Sequence, residues 1–459
     1  MGRSKEELKK AACEAIDRNR DKIIALGDAI FAEPELGYKE FKTAAKYQAF
    51  LDELGFEHQD GVAITGVIST HKGKESKMKV ALMGELDAVI IKEHPCADPI
   101  TGAAHACGHN CMIASIAGAA VAIKEANLME DLCGDIALMA VPSEEFVELE
   151  YRNKLREEGK ITFLGGKQEF IKLGAMDGVD AMVMQHTMAS DGQELKANAG
   201  GPSNGFVGKL VQYVGKEAHA GGAPQNGRNA LYAATCGLNA VNALRETFVD
   251  DEHIRFHPII TEGGLAVNAI PETVKLETYV RGASYDSIYK YNQKVNQALA
   301  ASAASIGCGL EIDDHPGYFP LNNDANLTEI MKEAMESISG PGTVATGRWG
   351  TGCTDMGDVS SIMPAIHPHC SGSIGMGHGK DYYVADKRLG CLLPAQCLVV
   401  TASMLLSDDA AKAKKVIAEA KPYFKSKEEY LTAIDKLTMN KEAVVYNEDG
   451  TITLDFMNK

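Results

Sequence analysis

Seven consecutive residues, His105-Ala106-Cys107-Gly108-His109-Asn110-Cys111, hold four histidines and cysteines. Thirteen His and eleven Cys spread over 459 residues would rarely crowd so closely. Cys107 and His109 are two residues apart and cannot share one face of a helix. They belong on the turn that opens the Ala-rich stretch IASIAGAAVAIKEA, where free backbone N–H groups and the helix dipole favour a thiolate. Thiolate beside imidazole is a ligand set suited to Zn²⁺ and its neighbours; the plainer alternative is a buried cysteine beside a capped histidine. The adjacent carboxylates Glu144 and Glu145 offer a second chemistry. One can bind a metal ion while the other takes a proton from water, and like-charge repulsion moves one of them towards neutral pH. An exposed acidic turn would look the same. His186 and His378 complete the set, the latter inside Gly375-Met376-Gly377-His378-Gly379, where glycines let the backbone fold tightly round a ligand. There is no CxxC pair, no HExxH, no GxGxxG after a strand and no GxxxxGK, which leaves zinc ribbons and nucleotide sites without support.

These side chains follow apolar runs of strand length. KVALMGEL (79–86) leads into Glu85-Leu86-Asp87, DIALMAV (135–141) into Glu144-Glu145, and DAMVMQ (180–185) into His186. Near-continuous apolar strands alternating with helical stretches indicate a parallel sheet covered on both faces. Ligands of such sheets bind beyond the carboxyl ends of the strands, so the three runs converge on one crevice. The texture changes after ANAGGP (197–202). From there the pattern reads β-α-β-β-α-β, an antiparallel sheet with two helices on one face. The expected fold class is α/β: a mostly parallel-sheet catalytic domain, residues 1–198 and 316–459, interrupted by a ferredoxin-like α+β domain, residues 199–315. The Lys- and Glu-rich tail from about Asp408 reads as solvated helices.

Composition narrows the function classes. The 46 Lys and Arg against 63 Asp and Glu give a net charge of −17, which argues against nucleic acid or an anionic membrane as partner. The opening residues MGRSKEELKKAACEAIDRN read as a charged amphipathic helix rather than a signal peptide, and no run of 18 apolar residues occurs. Eleven scattered cysteines, an odd number, point to a reducing cytoplasm rather than a disulfide framework.

Taken together the motifs resemble the M20 metallopeptidases, and within them the amidohydrolase branch of aminoacylases, auxin-conjugate hydrolases and aminobenzoyl-glutamate hydrolase. The matching segments run nearly the full length: PELGYKE (34–40), GELDAV (84–89), HACGHN (105–110), PSEE (142–145), HAGGAPQNGRNAL (219–231), VNAIPE (267–272), TDMGDVS (354–360) and the GHG loop. The resemblance implies two divalent metal ions per subunit, zinc or manganese with cobalt and nickel also acceptable, acting on a water. It implies Cys107 as the bridge between them, Glu145 and His378 on one ion, and His109 and His186 on the other. Glu144 would be general base, then general acid to the leaving amine. The superfamily places a metal-binding histidine where this chain has Glu85; with His109 taking over, Asp87 is left to orient the ligands. In the inserted domain His219 and Asn268 resemble an oxyanion-stabilising pair, and Arg281 an arginine that holds a substrate carboxylate. That domain would form a symmetric homodimer and lend His219 to the partner's site. The expected activity is hydrolysis of a small-molecule amide, an N-acyl or N-aminoacyl amino acid of the aminobenzoyl-glutamate kind. The alternatives are a dipeptidase for unusual dipeptides, a non-catalytic metal-binding homologue, and a metal-free thiol hydrolase using Cys107 and His109.

Overall fold

The computed structural model describes residues 2–189 and 195–458, and the chain divides into two compact units. The first comprises Met1–Pro202, Leu321–Trp349 and Asp358–Lys427; the second comprises Ser203–Pro320, Gly350–Gly357 and Glu428–Lys459.

In the first unit the apolar runs become strands. They are β1 (Gln59–Val62), β2 (Gly66–His71), β3 (Lys79–Glu85), β4 (Asp135–Val141) and β5 (Ala181–Met184). With the short strand Ala365–Ile366 they make a six-stranded sheet ordered β1-β2-β4-β3-β5 and then Ala365–Ile366. From β4 onward the pairing is parallel, whereas β1 and β2 form an antiparallel edge. Every residue of β4 is buried, and every residue of β3 after Lys79. A strand covered on both faces has no wet side, which is why these runs are unbroken by polar residues. Much of the cover comes from helix α1 (His109–Glu125), buried from His109 to Ile123. Its backbone passes so close to β3 that a Cβ on Gly84 would lie 2.9 Å from the Met112 carbonyl oxygen. Helices Lys5–Arg18 and Leu393–Leu406 pack against α1 in turn. By composition the segment Arg388–Leu406 is long and apolar enough to cross a membrane, although Pro394, Gln396 and Thr401 interrupt any strictly apolar run. It is 89 % buried within the protein, the environment of a core helix. A smaller sheet pairs His186–Ala189 in parallel with His369–Ile374 and sets His186 opposite His369.

The second unit holds an antiparallel sheet ordered Arg255–Phe256, Thr273–Gly282, Gly205–Val214, Gly309–Pro316 and Met439–Glu442, with Ile259–Glu262 also pairing Thr273–Gly282. Burial alternates along Thr273–Gly282, and helices Ala230–Leu244 and Tyr285–Ser305 pack on this sheet. The tail departs from the solvated helices expected of it. Helix Lys427–Leu437 buries Tyr430, Ala433, Ile434 and Leu437, an i, i+3, i+4, i+7 stripe that the surrounding charges mask in the sequence. Strand Met439–Glu442 then extends the sheet by pairing with Gly309–Pro316. Residues 428–459 therefore belong with the second unit and not with the parallel-sheet domain to which their place in the chain assigned them.

Candidate metal centre

The side chains singled out in the first unit stand on strand ends and on two strained turns. β3 ends at Glu85, with Asp87 two residues on. After β4 the chain turns through Ser143, a non-glycine residue at φ 59°, and so delivers Glu144 and Glu145. Such a conformation costs about 1–3 kcal/mol and persists only where its surroundings impose it. Here the carboxylate of buried Glu40 accepts from the Ser143 N–H at 2.8 Å and from the Thr65 hydroxyl at 2.7 Å. The fully buried Arg152 donates to the carbonyls of Leu164 and Glu145. His378 is a second strained residue, at φ 61°, and its N–H is tied to the Ala106 carbonyl at 2.8 Å. Between Cys107 and His109, Gly108 takes φ 94°, and a side chain there would collide with Thr187 and Tyr382. Only glycine serves at that position.

The result is two triads that share one thiol. The ligand atoms of Cys107, His109 and His186 lie within 4.8 Å of one another, as do those of Cys107, Glu145 and His378. Glu85, His109 and Glu144 form a third such group. Hydrogen bonds fix which nitrogen each ring presents. His109 Nδ1 donates to the Asp87 carbonyl at 2.8 Å and lies 3.1 Å from its carboxylate, while His186 Nδ1 donates to the Thr187 carbonyl at 2.7 Å. A carbonyl can only accept, so both rings carry a proton on Nδ1 and turn Nε2 into the site. The other Asp87 oxygen accepts from the Glu145 N–H at 2.8 Å, so one carboxylate braces two candidate ligands.

Orphaned atoms test whether cations suit this cradle. His109 Nε2 lies 3.0 Å from Glu85 Oε2, and His378 Nε2 lies 3.1 Å from Glu145 Oε1. Yet His109 Nε2, Glu85 Oε2 and Glu145 Oε1 are buried with no hydrogen-bond partner. Nitrogen and oxygen atoms this close, three of the four buried with no other partner, can be shared by a cation. Thiolate, imidazole and carboxylate together are a donor set for zinc and the later divalent transition metals.

The electrostatics agree. Burial disfavours a Cys107 thiolate, but His186 and His109 outweigh it and hold the thiol well below its ordinary pKa. Burial likewise disfavours a charged His109, but Glu85 and Cys107 raise its pKa well above the usual value. Glu145 is pushed up to about 7 by burial and by Cys107. Contacts with Cys107 and Glu145 raise His378 to about 11.

Not every residue of the dense motif joins the centre. His105 is buried with neither ring nitrogen bonded, and Cys111 faces Cys391 with the two sulfurs 3.2 Å apart. Sequence reasoning also missed several neighbours. Lys167 is fully buried and ion-paired with Glu85. His367 and His369 cluster with His186, each ring centroid 5.6 Å from it. The His-Pro-His spacing ahead of Cys370 was a legible signal, whereas nothing local marks Lys167.

Within the second unit His219 and Asn268 stand side by side, because strand Ala218–His219 pairs with Ala269–Ile270 and the Asn268 carbonyl accepts from the Ala220 N–H. His219 Nδ1 accepts from the N–H groups of Gly222 and Gly221 at 2.9 and 3.2 Å. A neutral ring so held carries its proton on Nε2 and can donate it. Arg281 donates to His257 Nε2 and to the Thr351 carbonyl, both at 3.1 Å.

Residues 81–394 match the sequence profile of peptidase family M20/M25/M40. The human Xaa-Arg dipeptidase is 28 % identical over 429 residues, covering 87 % of this chain and 89 % of that protein. Among solved structures, a dinuclear metal-binding M20 peptidase from Bacillus subtilis superposes with a TM-score of 0.65 at 20 % identity, covering 85 % of this chain and 99 % of the other. An aminobenzoyl-glutamate utilization protein from Klebsiella pneumoniae gives 0.64 at 17 %, covering 86 % and 98 %.

Proposed function

The chain belongs to peptidase family M20/M25/M40 as a metallohydrolase of amide bonds, and we propose that it sits in the amidohydrolase branch and releases an amino acid or small aromatic amine from an N-acyl or N-aminoacyl conjugate using two divalent cations. The observation that carries this reading is the sharing of Cys107 between two ligand triads, with the carboxylate of Glu144 grouped beside His109. When bound, such a pair of cations supplies Lewis acidity, lowering the pKa of a water and polarising the scissile carbonyl. Cys107, His109 and His186 would hold one cation; Cys107, Glu145 and His378 the other. Glu144 takes the proton from the attacking water and delivers it to the departing nitrogen. Asp87 keeps His109 and Glu145 aimed. His219, protonated on Nε2, and Asn268 donate to the oxyanion that develops on the carbonyl, and Arg281 pairs with a carboxylate on the substrate. A dipeptidase is the second reading, favoured by the extended similarity to the Xaa-Arg dipeptidase.

The test is Glu144→Gln, which keeps shape and removes the base. Turnover should fall by about 10² or more with metal content unchanged. Full turnover in that variant overturns the assignment. A panel of N-acyl amino acids, aminobenzoyl-glutamate and dipeptides separates the two substrate readings.

A homodimer through the second unit fits the apolar edge strand Ile259–Glu262, where Ile259 and Ile260 are 60 % and 41 % exposed. Sedimentation should return twice the chain mass; a monomer at micromolar concentration removes this assembly and with it any donation of His219 between subunits. The eleven unpaired cysteines fit a reducing cytoplasm, which cell fractionation checks.

A further inference from the structure

We propose that Glu85 is itself a ligand, the fourth protein ligand of the cation held by Cys107, His109 and His186, and that Lys167 is the counter-ion that fixes its carboxylate for the task. This rests on the two-cation reading above. Three observations carry it.

The first is directional. Glu85 Oε2 and His109 Nε2 are 3.0 Å apart, both buried, and neither is hydrogen-bonded. Metal–nitrogen and metal–oxygen bonds of about 2.0–2.2 Å at angles of roughly 90–110° set two ligand atoms roughly 2.9–3.5 Å apart. The observed spacing is that of two ligands on one ion. Both atoms are also buried away from any other polar partner, so a cation between them would meet both at once.

The second is the state of the other oxygen. Glu85 Oε1 is engaged by Lys167, whose side chain is fully buried. A ligating carboxylate is commonly held by a donor on its second oxygen, and that arrangement leaves Oε2 alone to face the cation. A carboxylate needed only to balance Lys167 would have no reason to turn its other oxygen towards the ligand nitrogen of His109.

The third is charge. Two divalent cations would bring four positive charges into a largely buried cradle, and Glu85 is one of the buried carboxylates, with Asp87, Glu144 and Glu145, placed to offset them. The inner cation would then have four protein ligands, the closed set of a firmly held ion. A cation at Cys107, Glu145 and His378 would have three, one of them half-exposed.

Metal stoichiometry and chelator competition on the purified chain test this without recourse to turnover. Wild type should retain two ions, one the more tightly. Glu85→Gln should keep one ion and lose the second, or bind it more than about 1000-fold more weakly, beyond the roughly 10–100-fold effect of a supporting residue. Because that change strands the Lys167 charge, Glu85→Gln is also made together with Lys167→Met, a pair with no buried charge, and thermal unfolding confirms that it folds. If Glu85 is a ligand, the double variant still lacks the inner ion. If it binds both ions with wild-type affinity, Glu85 served only to pair Lys167 and the proposal falls while the two-cation reading stands. A wild-type protein that binds no divalent ion overturns both.

Discussion

Each unit of this protein buries a lysine against a carboxylate, and the two pairs are finished differently. In the second unit Lys209 and Asp314 face each other across neighbouring strands, both fully buried. Asn292 and Asn296 donate to the remaining Asp314 oxygen at 2.7 and 3.0 Å. Asn458 accepts from Gln293 at 2.9 Å and donates to the Leu437 carbonyl at 3.0 Å, closing the network over the tail. Among these six residues only Asn292 Oδ1 is idle. In the first unit the Lys167–Glu85 pair opens onto unbonded atoms of Glu85, His109 and Glu145. A buried polar network that satisfies itself is architecture. One that leaves ligand atoms bare and convergent is a receptor, because an unmet buried polar atom is tolerated only where something else will meet it.

The contrast is broken most severely by Lys209→Met. It strands the Asp314 charge and should cost about 3–5 kcal/mol in urea unfolding, with metal stoichiometry of the folded protein unchanged. A loss of metal in that variant would mean the two networks are not independent.

Proton release separates them more finely. In the cation-free cradle His378 holds its proton up to about pH 11 and Glu145 up to about pH 7. A cation must expel these protons, so affinity rises with pH, by about tenfold per unit for each proton displaced, and more steeply below pH 7 than above it. Uptake in weak buffer at pH 8 should release at least one proton; a pH-independent affinity would contradict these protonation states. The smallest effect is expected from Asn458→Ala, about 1 kcal/mol of stability with the pH profile of metal uptake untouched.

What could be read from the sequence divides along the same line. The strand ends were legible because β3, β4 and β5 are unbroken apolar runs, and the polar residues that follow them stand out. The Gly108 requirement was not, since it depends on Thr187 and Tyr382 arriving from distant parts of the chain. Lys167 gave no signal, because an isolated lysine in GGKQEF looks solvated until Glu85 is brought to it. Arg152 was silent likewise, and Glu40, although it closes the PELGYKE segment, gave no sign that it holds a turn about a hundred residues further on. The tail was misread because its charges outnumber its apolar stripe, and its pairing with Gly309–Pro316 leaves no trace in local composition.

That pairing has a consequence for how the protein is made. Strand Gly309–Pro316 leaves the ribosome roughly 120 residues before Met439–Glu442, the segment that covers its outer edge. At about 5–20 residues per second, the nascent chain carries that uncovered edge for roughly 6–25 s. Throughout that interval Gly309–Pro316 presents unpaired backbone groups to whatever other strand comes near, including the same strand on a neighbouring polysome. Slow translation through residues 317–438 would lengthen the exposure, and a trigger-type chaperone at the exit port would shorten its effect.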